Sequence, residues 1–149
     1  MEIVSGSEGE TEALGIRLAA DLTAGDMVLL TGEIGAGKSV LIRGMATGLG
    51  GAAWRGSPTF NLIHEYDTEP PLVHIDLYRL APAEVEGLGL EEYTERSGCV
   101  LAIEWADRAS VYLRSLASGR VIDVSIAYDS DRERTIAWSI ASPAGQRLP

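Results

Sequence analysis

The segment Gly32-Glu33-Ile34-Gly35-Ala36-Gly37-Lys38-Ser39 constrains this chain more than any other. It follows the apolar run 27–30 and precedes a stretch in which Leu41, Met45 and Leu49 recur at helical spacing. A strand buried on both faces, a glycine-rich turn and a helix are therefore predicted in immediate succession. In that arrangement successive backbone N–H groups and the positive end of the helix converge on one phosphate group. Glycine is needed there because a Cβ would obstruct both the tight backbone path and the approach of phosphate oxygens. The octet is a full match to the spacing of a nucleotide phosphate loop. Backbone groups of Glu33, Ile34, Gly35, Ala36 and Gly37 surround the phosphates, Lys38 sits between the β and γ groups, and the Ser39 hydroxyl takes one Mg²⁺ position. Lys38 is the sole lysine, the other eleven basic residues being arginines.

Around this motif, apolar strands alternate with helices. Leu14, Leu18 and Leu22 predict an amphipathic helix over 11–23. Strands are expected over 60–66, 72–77 and 99–103, with short helices opening at Pro82 and over 88–93. Residues 106–117 mix helix formers with Ser110 and Val111 and stay ambiguous. Two closing strands, 121–128 and 134–140, flank a polar turn and read as an antiparallel hairpin. The tail over 141–149 is expected to be loose. Gly44 and Gly48 cost the second helix about 1 kcal/mol each in propensity and are expected to allow close packing against the sheet. The pattern is that of a three-layer α/β domain, single over 1–149, with a mostly parallel central sheet and a C-terminal antiparallel hairpin.

Composition narrows the function. With 46% apolar and 23% charged residues the chain can bury a core. Its net charge of −10 repels phosphate backbones and anionic lipid, which argues against a broad nucleic-acid or membrane face. Cys99 is the one cysteine, so neither an internal disulfide nor a cysteine zinc cluster is available. A reducing compartment, the cytoplasm, is expected, as no leader pattern or spanning apolar stretch is seen.

Acidic groups at strand ends are the natural supply of metal ligands beside a phosphate loop. Asp76 and Glu104 fit that role, although Asp76 is equally readable as a polar strand-edge residue. Thr59, within Ser57-Pro58-Thr59-Phe60, reads either as a γ-phosphate sensor or as part of a turn orienting Phe60. His64 and His74 lack the spacing of a zinc pair and are either hydrogen-bonded or exposed. The glutamates at 84, 86, 91, 92 and 95 are either a solvated face or a docking face for a basic protein.

Together with the octet, Ser57-Pro58-Thr59-Phe60, His74-Ile75-Asp76-Leu77-Tyr78-Arg79-Leu80 and Ile103-Glu104-Trp105 closely resemble the TsaE (YjeE) family. Those proteins are the P-loop ATPases of tRNA threonylcarbamoyladenosine biosynthesis. The resemblance implies ATP as substrate, Mg²⁺ as cofactor, and hydrolysis to ADP and phosphate in support of the TsaD and TsaB proteins, which modify position 37 of tRNA. It implies tRNA contact only through those partners. It also implies switch-like roles for Thr59 and Asp76, catalytic roles for these two and Lys38, Mg²⁺ ligation by Ser39 and Glu104, and an adenosine end near Thr11 and Arg132. The family usually has threonine where Ser39 stands and proline where Ala106 stands. A small-molecule kinase and a non-catalytic ATP-binding module are the competing readings of the same loop.

Overall fold

The computed structural model describes residues 1–51, 56, 62–95 and 98–141. In chain order its elements are β1 (Glu2–Ser5), α1 (Glu8–Ala19), β2 (Met27–Gly32), α2 (Lys38–Gly48), β3 (Ile63–Tyr66) and β4 (Leu72–Asp76). There follow α3 (Pro82–Val85), a 3-10 turn (Glu86–Leu88), α4 (Glu91–Glu95), β5 (Val100–Glu104), a second 3-10 turn (Ala106–Ala109), α5 (Ser110–Leu116), β6 (Val121–Tyr128) and β7 (Arg134–Ala141).

Seven strands form one sheet in the order β1-β7-β6-β2-β5-β4-β3. The central four, β6, β2, β5 and β4, run parallel, and antiparallel strands complete both edges. The closing hairpin is present and reaches Ala141. The mixed sheet with helices on both faces is a three-layer P-loop NTPase-like fold. In β2, Val28 and Leu30 pack under α1 and α2 with Leu14, Leu41 and Met45. Met27 and Leu29 point the other way, into a cluster with Ile75, Ile103 and Leu113. Burial on both faces explains why the run has no polar alternation.

Several boundaries differ from the sequence reading. Helix α1 begins at Glu8 rather than Thr11, because the Ser7 hydroxyl accepts the Glu10 N–H at 3.1 Å and caps it. It ends at Ala19 rather than Thr23, where Asp26 takes over and accepts the Thr23 N–H at 2.8 Å. Strand β1 was not anticipated. Its four residues are too few to show a period, and it is held by pairing with β7. The helix expected over 88–93 lies at Glu91–Glu95. The ambiguous stretch resolves into a 3-10 turn followed by α5.

Gly44 and Gly48 face α1, not the sheet. A Cβ on Gly44 would lie 2.1 Å from the Glu12 carbonyl oxygen, and one on Gly48 would lie 2.6 Å from the Ala19 Cβ. The two helices thus meet backbone to backbone, with Gly15 opposite Gly44. This close contact fixes α2, and α2 carries Lys38 and Ser39. Among the described residues no helix is long and apolar enough to cross a membrane.

Candidate functional site

Strand register brings the acidic candidates together. In the parallel ladders Leu30 of β2 and Asp76 of β4 both pair with Glu104 of β5. The carboxyl ends of three adjacent strands therefore open at one place, the usual position of a ligand in an open α/β sheet. The cavity there has a volume of about 310 Å³, and its walls include Gly37, Lys38, Ser39, Asp76, Glu104 and Trp105.

The loop enters α2 through Gly37, whose φ of 111° is accessible to glycine and strained for any other residue. No side chain caps this helix, so its first N–H groups remain directed at the loop. Lys38 is 4% exposed, and its Nζ donates to the carbonyl oxygens of Gly32 at 2.6 Å and Glu33 at 2.8 Å. Burial pushes the ammonium pKa below the ordinary lysine value, and the nearby charges of Glu104, Asp76 and Asp107 oppose that shift.

Glu104 is the junction of the polar network. Its carboxylate accepts the Ser39 hydroxyl at 3.0 and 3.1 Å, and its Oε2 lies 2.7 Å from His74 Nε2. An ionised carboxylate only accepts, so in this bond the imidazole proton is on Nε2. His74 is fully buried and fixes the carboxylate from below the cavity. The donors facing the cavity are hard oxygens from Ser39 and Glu104, with Asp76 alongside. A magnesium ion fits that set, since it is held by one or two protein oxygens and completes its shell with phosphate and water. Asp76 is itself 5% exposed, and its Oδ1 accepts the Tyr78 N–H at 2.9 Å.

Trp105 closes one side of the site. Its backbone is left-handed, φ 60° and ψ 37°, an uncommon conformation for a bulky residue. The turn sets its ring 4.2 Å from Lys38 Nζ and 4.9 Å from the Tyr78 ring. On the opposite side the Tyr128 hydroxyl donates to the Gly35 carbonyl oxygen, and the Arg134 guanidinium lies 5.4 Å from the Tyr128 ring. A Cβ on Gly37 would come within 3.3 Å of Arg134 Nη1 and 3.7 Å of the Thr11 methyl.

Comparison with known proteins agrees with this geometry. Residues 5–136 match the family described as threonylcarbamoyl adenosine biosynthesis protein TsaE. The chain belongs to the TsaE family. It is 48% identical over 99 residues to the Nostoc protein of that name, covering 64% of this chain and 61% of that one. With the Treponema pallidum protein it is 35% identical over 138 residues, covering 92% of this chain and all of that one. The crystal structure of YdiB from Bacillus subtilis superimposes with a TM-score of 0.74 at 31% identity, over 95% of this chain and 85% of YdiB. The matches to the Nostoc and Synechocystis relatives span 61% and 65% of the length of those proteins.

Of the residues singled out in the sequence, Ile34, Gly35, Gly37, Lys38, Ser39, Asp76 and Glu104 share one cavity. Thr11 is fully buried at the loop's flank, its hydroxyl 2.8 Å from that of Ser5. Glu33, Ile34 and Gly35 are exposed along the loop, and Ala36 is buried. Arg132 is exposed in the β6–β7 turn, where its N–H donates to Ser130 Oγ at 3.3 Å. Two residues further on, Arg134 is the arginine packed beside Gly37. Thr59 and its neighbours Ser57, Pro58 and Phe60 lie outside the described residues. Sequence reasoning did not assign roles to His74, Trp105, Tyr128 or Arg134. The short distance in sequence from Asp76 to His74, two positions on one strand, was the available signal for the first.

Proposed function

We propose that this chain binds ATP with magnesium, hydrolyses it to ADP and phosphate, and thereby supports the TsaD–TsaB pair in tRNA threonylcarbamoyladenosine biosynthesis. The observation that carries the reading is the junction at Glu104, which joins the Ser39 hydroxyl to buried His74 at the mouth of the phosphate loop. Ser39 and Glu104 are the residues that hold the metal, which when bound neutralises charge on the phosphate oxygens. Lys38 exchanges its two loop carbonyls for phosphate oxygens and stabilises charge on the transferring phosphoryl group. Asp76, in register with Glu104, orients the attacking water. The names of the relatives supply the pathway. The charge of −10 favours a role in which the partners, not this chain, hold the tRNA.

The test is phosphate release from ATP and from GTP, with and without the TsaD–TsaB pair, alongside tRNA modification. ATP-selective release that the pair accelerates supports the reading. ADP production that requires a small-molecule acceptor, with the phosphoryl group carried on that acceptor and no free phosphate, would make the chain a kinase. Nucleotide binding without turnover, in the presence of the pair, would make it a binding module.

A further inference from the structure

On the outer side of the Trp105 turn lies a second concavity, a groove of about 610 Å³ that does not share lining residues with the phosphate cavity. One wall is α3 and the turn after it, with Ala83 and Glu86; the other is the 3-10 turn and α5, with Asp107, Arg108, Val111 and Tyr112. Val111 is 87% exposed at the start of α5. A single exposed valine is ordinary on a protein surface. This one stands on a wall tied to α4, because the neighbouring Tyr112 hydroxyl donates to the Glu91 carboxylate. Burial and that carboxylate push the Tyr112 pKa up to about 12.

The charge of the groove selects its occupant. Glu86 and Asp107 lie in its lining, while the Arg108 guanidinium rests against the Trp105 and Tyr78 rings at 5.7 and 5.9 Å. Exposed Glu84 on α3 and Glu92 on α4 add to the negative field. A second copy of this chain, itself at −10, is repelled from such a surface, and so is a phosphate backbone. We infer that the groove docks a basic polypeptide segment of a partner protein, which sets an apolar side chain on Val111 and pairs its cations with Glu86 and Asp107.

The groove and the phosphate cavity are joined by the single turn between them. Arg108 N–H donates to the Trp105 carbonyl oxygen at 3.1 Å, and the Trp105 ring covers Lys38. Asp107 is close enough for its charge to act on the Lys38 ammonium. An occupant that pairs Asp107, or that displaces the Arg108 guanidinium from the Trp105 ring, therefore acts on Lys38 through the charge of Asp107 or through Trp105. Partner docking and nucleotide turnover are coupled through four residues.

Taking the TsaD–TsaB pair as that partner rests on the function proposed above. The experiment measures binding of the full chain to the pair by calorimetry, at low and high salt, together with ATP hydrolysis. The variants are Val111→Glu and Glu86→Arg, with Val4→Glu on edge strand β1 as the control for added charge. Both groove variants are expected to bind roughly ten-fold more weakly or worse and to lose stimulation, with hydrolysis by the isolated chain retained. The control is expected to bind as the unmodified chain does. Glu86→Arg should also flatten the salt dependence. Full affinity and stimulation in both groove variants would overturn the groove and leave the ATPase reading standing. Absence of binding and stimulation in the unmodified chain would overturn the choice of partner.

Discussion

Replacing Gly44 by alanine sets two opposed effects against each other in one helix. Alanine gains about 1 kcal/mol of helix propensity over glycine. Against that, the new Cβ would lie 2.1 Å from the Glu12 carbonyl oxygen and 2.9 Å from Gly15 Cα, both backbone atoms that have no rotamer to escape into. An ordinary carbon–oxygen contact is about 3.3 Å, so α1 and α2 must part by about 1 Å. Overpacking of this kind costs about 1–3 kcal/mol, and contact with backbone on two sides places this case at the upper end. The net loss is then about 2 kcal/mol, or a fall in Tm of roughly 4–8 °C for a domain of this size. Gly87 supplies the internal comparison, since a Cβ there meets nothing within 4 Å. Gly87→Ala should raise stability by about 0.4–1 kcal/mol through the unfolded chain. Calorimetric melting of both variants decides the matter. A Gly44→Ala protein melting at or above the parent temperature would show that the helices are not in tight contact. Because α2 begins at Lys38, the same variant is expected to bind nucleotide more weakly, and titration of ATP at constant metal reads that effect separately.

Three further outcomes are expected. Asp26 is 2% exposed and accepts from the Thr23 and Arg120 N–H groups and from the Arg120 guanidinium at 2.6 and 3.1 Å, so Asp26→Ala leaves two amides without that acceptor and removes the carboxylate partner of Arg120, which keeps its bond to the Asp21 carbonyl. The loss is about 2–3 kcal/mol after allowing for the partial exposure of Arg120, and a urea midpoint unchanged from the parent would refute it. His74→Leu removes the donor that orients Glu104, and should weaken Mn²⁺ binding in the ADP complex by about 10–100-fold, as read by electron paramagnetic resonance; unaltered Mn²⁺ affinity would remove the role. The lowered pKa of Lys38 means that the folded state disfavours its charge, so its contribution to stability is most unfavourable below the folded pKa. That penalty lifts as pH rises from the folded value towards the unfolded one of about 10.5, while ATP affinity falls over the same interval because the ammonium is being lost. Affinity that holds constant through that interval would exclude the ammonium as the phosphate contact.

The parts of the fold that were legible in the sequence are those set by neighbours along the chain. The run 27–30 and the octet behind it announce a strand, a turn and a helix because burial on two faces and phosphate-loop glycines leave local marks. The start of α1 was also marked, by Ser7 three residues ahead of Glu10, but the leucine period drew the boundary to Thr11. What could not be read depends on which strands are neighbours. Glu104 and Asp76 were chosen as acids at strand ends, yet His74 meets Glu104 only because β4 lies beside β5. Arg134 stands by Gly37 because β7 folds back on β6, and nothing in the sequence favours it over Arg132. Likewise Gly44 and Gly48 announced close packing, but the surface they meet is a matter of tertiary arrangement.

The charges around the cavity restrict the form in which a nucleotide can enter it. Lys38 contributes one positive charge, and the amino end of α2 adds the equivalent of about half of another. Facing them are Glu104 and Asp76, with Asp107 further out, so the protein alone presents no positive surplus to a triphosphate. Metal-free ATP would bring its own anionic oxygens against two buried carboxylates, whose burial weakens the screening of that repulsion. A divalent cation held by Ser39 and Glu104, as proposed above, would offset that repulsion, and the carboxylate would then serve as a ligand rather than an obstacle. On the function proposed above, the same carboxylate that opposes the free nucleotide would favour its metal complex. The hydrogen bond from His74 matters on this argument because it fixes the Glu104 carboxylate in the cavity wall, beside Ser39.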